Sequence, residues 1–71
     1  MRFDYSKLRG RIVEVCGTQS AFSEAIGLSQ RTISLKLSNR ISWRQNEIEI
    51  ACDLLRIPKE DIPVYFFAEK V

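Results

Sequence analysis

Seventy-one residues make one small domain with a single modest core, and an apolar content of 45% is enough to fold it, which excludes a wholly disordered chain. A net charge of +2 does not by itself argue for nucleic acid, no apolar run approaches the roughly 18 residues that cross a membrane, and the start of the chain carries no signal-peptide pattern. Histidine is absent, and Cys16 and Cys52 lack CxxC spacing. The sequence therefore predicts no metal site, no cofactor, and two reduced, buried thiols in a cytosolic protein.

Helical periodicity dominates the chain. Asp4 is the expected N-cap of a first helix over about 5–16, with Leu8, Ile12 and Val15 on one face and Gly17 at its end. Thr18 caps a second helix, Gln19–Ile26, whose buried face is Phe22, Ala25 and Ile26. Gly27 makes a sharp turn with positive φ. Leu28 plugs the corner, and Ser29 caps a third helix, Gln30–Leu37.

A loop over 39–42 follows. Ser42 and Gln45 then form an S-x-x-Q capping box opening a fourth helix on Ile48, Ala51, Leu54 and Leu55. Trp43 is the expected staple at its start. Pro58 suits the first turn of a fifth helix, which Pro63 keeps short, and 64–67 is a candidate extended segment. The aromatic run Tyr65-Phe66-Phe67 exceeds what so small a core buries on one side, so part of it is expected to serve a weak homodimer. The fold class that follows is all-α, a compact bundle of about five short helices within one domain, 1–71.

Residues 18–37 carry the strongest functional signal. Two short helices joined at Gly27 predict a helix-turn-helix, in which the first helix braces and the second lies in the major groove. Ser23 is the small residue where the helices approach, and Ile33 packs back into the core. Steps of 100° then place Gln30, Arg31, Ser34 and Leu35 on the exposed face. No acid occurs between Glu24 and Glu47, where Arg31, Lys36, Arg40 and Arg44 all fall. Arg2, Lys7, Arg9 and Arg11 add to a basic end, as a domain with one DNA-facing side would show.

Gln19, Phe22, Ser23, Gly27, Leu28, Ser29 and Ile33 resemble the helix-turn-helix of small phage repressors and Cro-like regulators, the Xre-type family with its lambda-repressor-like fold. The likeness runs on through Ile48, Ala51, Leu54, Leu55 and Ile57, and covers nearly the whole chain. The segments DYSKLRGRIVEVCGTQ and RTISLKLS, and the closing YFF, look like very small phage lysogeny regulators, both Cro-like repressors and modulators of repression. The resemblance implies that Gln30, Arg31, Ser34 and Leu35 meet base edges. It implies that Gln19, Ser29, Lys36, Asn39, Arg40 and Arg44 touch DNA phosphates, with Gln19 also buttressing Gln30. Lys36 departs from many relatives, which carry an apolar residue there.

Two functions follow. The first is a regulator that binds double-stranded operator DNA and acts by occupancy in a lysis–lysogeny type of switch, inside the bacterial host cytoplasm. The second is a modulator or antirepressor that uses Gln30, Arg31 and Leu35 to bind a cognate repressor and alter its DNA binding. Leu35 is the residue on which they differ, since leucine can meet a thymine methyl or anchor a protein contact. An enzyme is not expected: no histidine, acid pair or activated cysteine offers the chemistry, and no small-molecule substrate is implied.

Overall fold

The computed structural model describes residues 2–70. Five α-helices follow one another: α1 (Ser6–Cys16), α2 (Gln19–Ile26), α3 (Gln30–Leu37), α4 (Gln45–Leu55) and α5 (Ile62–Phe66), with a 3-10 turn, Lys59–Asp61, leading into α5. The expected all-α bundle is the fold. The expected bounds of 1–71 include Met1 and Val71, which lie outside the described residues. Among the described residues, extended pairing is limited to an antiparallel bridge between Phe3 and Glu69. The Asp4 N–H donates to the Ala68 carbonyl (2.7 Å) and the Lys70 N–H to that of Arg2 (3.1 Å), which ties the two ends together.

Asp4 is not the N-cap of the first helix: Tyr5 holds that place, and Asp4 lies one residue earlier. Its Oδ1 accepts the Ser6 N–H at 2.9 Å, and the Ser6 hydroxyl, then this N–H, hold its carboxyl below the usual range. The inward stripe is Tyr5, Leu8 and Ile12, while Val15 is 39% exposed. Including Tyr5 turns the stripe towards Cys16, and 100° steps then leave Val15 at its edge. On α2 the Thr18 hydroxyl accepts the Ala21 N–H at 3.0 Å. Phe22, Ser23 and Ile26 are buried, whereas Ala25 is exposed. The stripe centres between Phe22 and Ser23, and Ala25 falls outside it.

The fourth helix begins two residues later than the Ser42–Gln45 box requires. Arg44 is its N-cap, and the Glu47 carboxylate accepts the Arg44 N–H at 2.8 Å. Glutamate at this third position satisfies an orphan helix donor better than a neutral amide does. Ala51, Cys52 and Leu55 are buried along α4. Pro63 lies in the first turn of α5, where proline's fixed φ is suited, so 64–66 is helical and not extended. Trp43 packs edge-on against Phe66 of α5 at 5.3 Å, a contact between elements rather than the staple expected within the fourth helix. Its Nε1–H is buried without a partner.

Phe22, Phe66, Leu8, Ile12, Ile33 and Leu55 are fully buried and form the centre of the core. Each contributes about 1.5–3 kcal/mol. Helix α1 packs on α2, α4 and α5, and α2 on α3 and α4. The contacts of α3 are chiefly with α2, so its far side is left outward.

Both cysteines are free thiols, Cys16 half-buried and Cys52 buried. Burial, and then the Asp53 carboxylate, push the Cys52 thiol up, so it stays protonated and unreactive. Cysteine-to-alanine replacement at either site should cost at most about 1–2 kcal/mol. Thermal melts with and without reductant should coincide; a lower midpoint under reduction would reveal a disulfide.

Candidate recognition surface on the third helix

The turn that presents α3 is built by backbone chemistry. Gly27 adopts φ 80° in the left-handed region, where a side chain would be strained. The N–H groups of Gly27 and Leu28 both donate to the Ser23 carbonyl at 3.0 Å. Ser23 itself is buried, and its hydroxyl donates to the Ser20 carbonyl at 2.7 Å. The small side chain lets the chain fold back over it. Ser29 then caps α3: its Oγ accepts the Thr32 N–H at 3.1 Å and donates to Thr32 Oγ1 at 2.9 Å. The Ser29 hydroxyl, expected at a phosphate, thus has an internal task.

The four residues expected at base edges share the outward side of α3. Gln30, Arg31 and Ser34 are exposed, and Leu35 is half-buried. Gln19 reaches them, but not as expected. Its Nε2 donates to Ser34 Oγ at 3.3 Å, which fixes Ser34 rather than Gln30.

Lys36 is corrected. It is 3% exposed, and its ammonium donates to the Ser42 carbonyl at 2.8 Å. It also pairs with Glu47 Oε1 at 2.7 Å and lies 5.6 Å from the centre of the Trp43 ring. An amine so enclosed does not reach a phosphate. It faces inward because Ile33 and Leu37 flank it on the core side and Glu47 supplies the opposite charge. Asn39 is corrected as well. It adopts φ 65°; its Oδ1 accepts the Phe3 N–H at 2.8 Å and its Nδ2 donates to the Phe3 carbonyl at 2.9 Å. Both amide atoms are engaged by the N-terminal segment.

Two arginines of the basic N-terminal stretch are engaged by other helices, although Arg9 stays exposed. Arg9 donates to the Leu37 carbonyl at 3.2 Å, and Arg11 donates through Nε to the Leu55 carbonyl at 2.8 Å. These guanidiniums cap the C-terminal ends of α3 and α4, where cations are favoured. What remains outward near α3 is Arg31, Arg40 and Arg44, all exposed. Sequence spacing missed these helix-end contacts because charge alone does not say which side chain folds over a helix end.

Among the described residues no group of histidine, cysteine or acidic side chains could hold a metal, and no helix is long and apolar enough to cross a membrane.

Comparison with known proteins gives a consistent context. A family profile described as "Protein of unknown function (DUF739)" matches residues 1–69. No curated protein matches the chain. Among solved structures, it is similar to the modulator of repression of the temperate bacteriophage TP901-1 from Lactococcus lactis, determined in solution. The two share 51% identity, with 100% of this chain and 96% of that one covered, at a TM-score of 0.84. The similar protein is thus a phage regulator rather than an enzyme.

Proposed function

We propose that this chain, which belongs to the DUF739 family, is a phage-type modulator of repression that works by binding a cognate repressor protein. The helix-turn-helix formed by α2 and α3, with Gln30, Arg31 and Leu35 at its outer side, is the docking surface. Repressor engaged there has altered or blocked DNA binding, which sets a lysogeny-type switch in the host cytoplasm. One domain, needing no cofactor or small molecule, suffices for this task.

The observation that carries the reading is the withdrawal of Lys36 into an internal ion pair. Asn39 is tied to Phe3, and Ser29 caps α3. The set expected to grip phosphates is thereby reduced mainly to Arg40 and Arg44. Phosphate contacts supply essentially all non-specific DNA affinity, so a surface with fewer of them is a poorer DNA surface. A half-buried leucine on its outer side suits a protein partner. The full-length likeness to a modulator of repression supports the same choice.

The test is a gel shift with three lanes: the repressor of the same genome on its operator, this chain alone, and both together. The chain alone should leave operator DNA unshifted near physiological salt, and it should change the shift made by the repressor. A shift by the chain alone, falling with salt on a log–log slope of roughly −4 to −5, would restore the operator-binding reading.

A further inference from the structure

The loop over 39–42 is held at both ends by the two side chains that the surface lost. Asn39 is pinned through both amide atoms to the Phe3 backbone. Phe3 in turn is bridged to Glu69. At the other end, the Ser42 carbonyl is held by the Lys36 ammonium. In between, the Arg40 and Ile41 N–H groups donate to the Leu35 carbonyl at 2.9 and 3.3 Å. The loop is therefore joined directly to α3 and fixed in place. Its exposed residues are Arg40, Ile41 and Ser42, and Ile41 is 41% exposed.

A depression of about 120 Å³ lies beside them, lined by Phe3, Tyr5, Asn39, Arg40, Ile41 and Ser42. It is well below the roughly 300–1,000 Å³ of small-molecule pockets, and is sized for one side chain.

We propose that this loop is the second half of the docking surface, and that its partner is an apolar patch of the repressor rimmed by carboxylates. The proposal rests on the repressor-binding reading above. One apolar partner side chain seats against Ile41 and the depression. Partner carboxylates face Arg40 and, across the loop, Arg44. Among the described residues neither Arg40 nor Arg44 enters a side-chain ion pair, the nearby Glu47 carboxylate being taken by Lys36, so partner carboxylates can complete their charge. The choice of protein over DNA follows from Ile41. A phosphate backbone would meet Arg40 but gains nothing from an exposed isoleucine beside it. The carboxylate rim also has a consequence: two basic surfaces repel, so this edge meets the repressor beside its phosphate-binding face rather than on it. Fixing the loop in advance lowers the ordering cost of binding.

The test measures affinity for the purified repressor by calorimetry, using Ile41→Asp, Arg40→Glu and Arg40→Lys beside Leu35→Lys. Ile41→Asp should weaken binding by about 30-fold or more, the effect of a hot-spot residue. Arg40→Glu should weaken binding and invert its dependence on salt, and Arg40→Lys should restore most of both. Circular dichroism melts should match the wild type, since both side chains are exposed; if Ile41→Asp melts early, Ile41→Ser carries the measurement. Wild-type affinity in Ile41→Asp and Arg40→Glu, with binding lost in Leu35→Lys, overturns the loop proposal and leaves the repressor reading standing. No repressor binding by the wild type overturns both. Operator binding by the wild type alone, lost in Arg40→Glu, assigns the loop to DNA and overturns the proposal.

Discussion

Leu35→Lys is expected to abolish association with the repressor while leaving the fold intact. Leu35 is half-buried on the outward side of α3, and lysine matches leucine in helix propensity. In a protein interface the new ammonium is buried without a partner, at a cost of about 3–5 kcal/mol. At 1.4 kcal/mol per tenfold, this weakens binding by roughly 100- to 3,000-fold. Against DNA the same change adds a cation and so holds or raises non-specific affinity. One substitution therefore drives the two partners in opposite directions. Calorimetry with the repressor, beside a gel shift on operator DNA, reads both. A Leu35→Lys protein that still binds repressor normally would remove this face from the contact.

The helices and their caps were legible because they are local. Thr18, Gly27 and Ser29 state their roles within four residues of sequence, and the structure uses all three as expected. Val15 and Ala25 were misplaced for a different reason. Each lies near the edge of its helix's buried stripe, and a stripe's centre is set by the partner helices, which sequence spacing does not show. The start of α4 was misjudged because two candidate starts overlap, Ser42 with Gln45 and Arg44 with Glu47. The Arg44–Glu47 choice prevails since Glu47 also meets Lys36, a residue eleven positions away.

The surface was legible by address but not by state. Gln30, Arg31, Ser34 and Leu35 share one side of α3, as 100° steps require. Which cations stay outward depends on long-range partners. Arg9 and Arg11 end on carbonyls of other helices, and Asn39 ends on a backbone 36 residues away. The residue that departed from the family pattern, Lys36, was the clue. A lysine flanked by Leu35 and Leu37, with Glu47 at the next helix start, can be buried if its charge is met.

Breaking that pair should have the largest effect on stability. Glu47→Ala leaves the Lys36 ammonium enclosed, its side chain 4% exposed, with the Ser42 carbonyl and the Trp43 ring as its remaining neighbours. Removing one partner of a buried pair costs about 3–5 kcal/mol. A domain of this size loses about 4–8 °C of melting temperature per kcal/mol, so the midpoint should fall by at least about 12 °C or the chain should fail to fold. Lys36→Met with Glu47→Gln removes both charges together and keeps an acceptor for the Arg44 N–H. That double variant should melt near the wild type, because replacing a buried pair by well-packed neutral groups is often neutral or stabilising. Acid separates the two accounts further. Burial alone would raise the Glu47 carboxyl, but the Lys36 and Arg44 contacts outweigh it and hold the group below its ordinary value. Its contribution is therefore complete above the unfolded pKa of about 4.3 and is lost as pH falls through the lower folded value. Wild-type stability should drop across this acid window more steeply than that of the double variant. Equal slopes, or a Glu47→Ala protein as stable as the wild type, would mean that the pair does not hold α3 to α4.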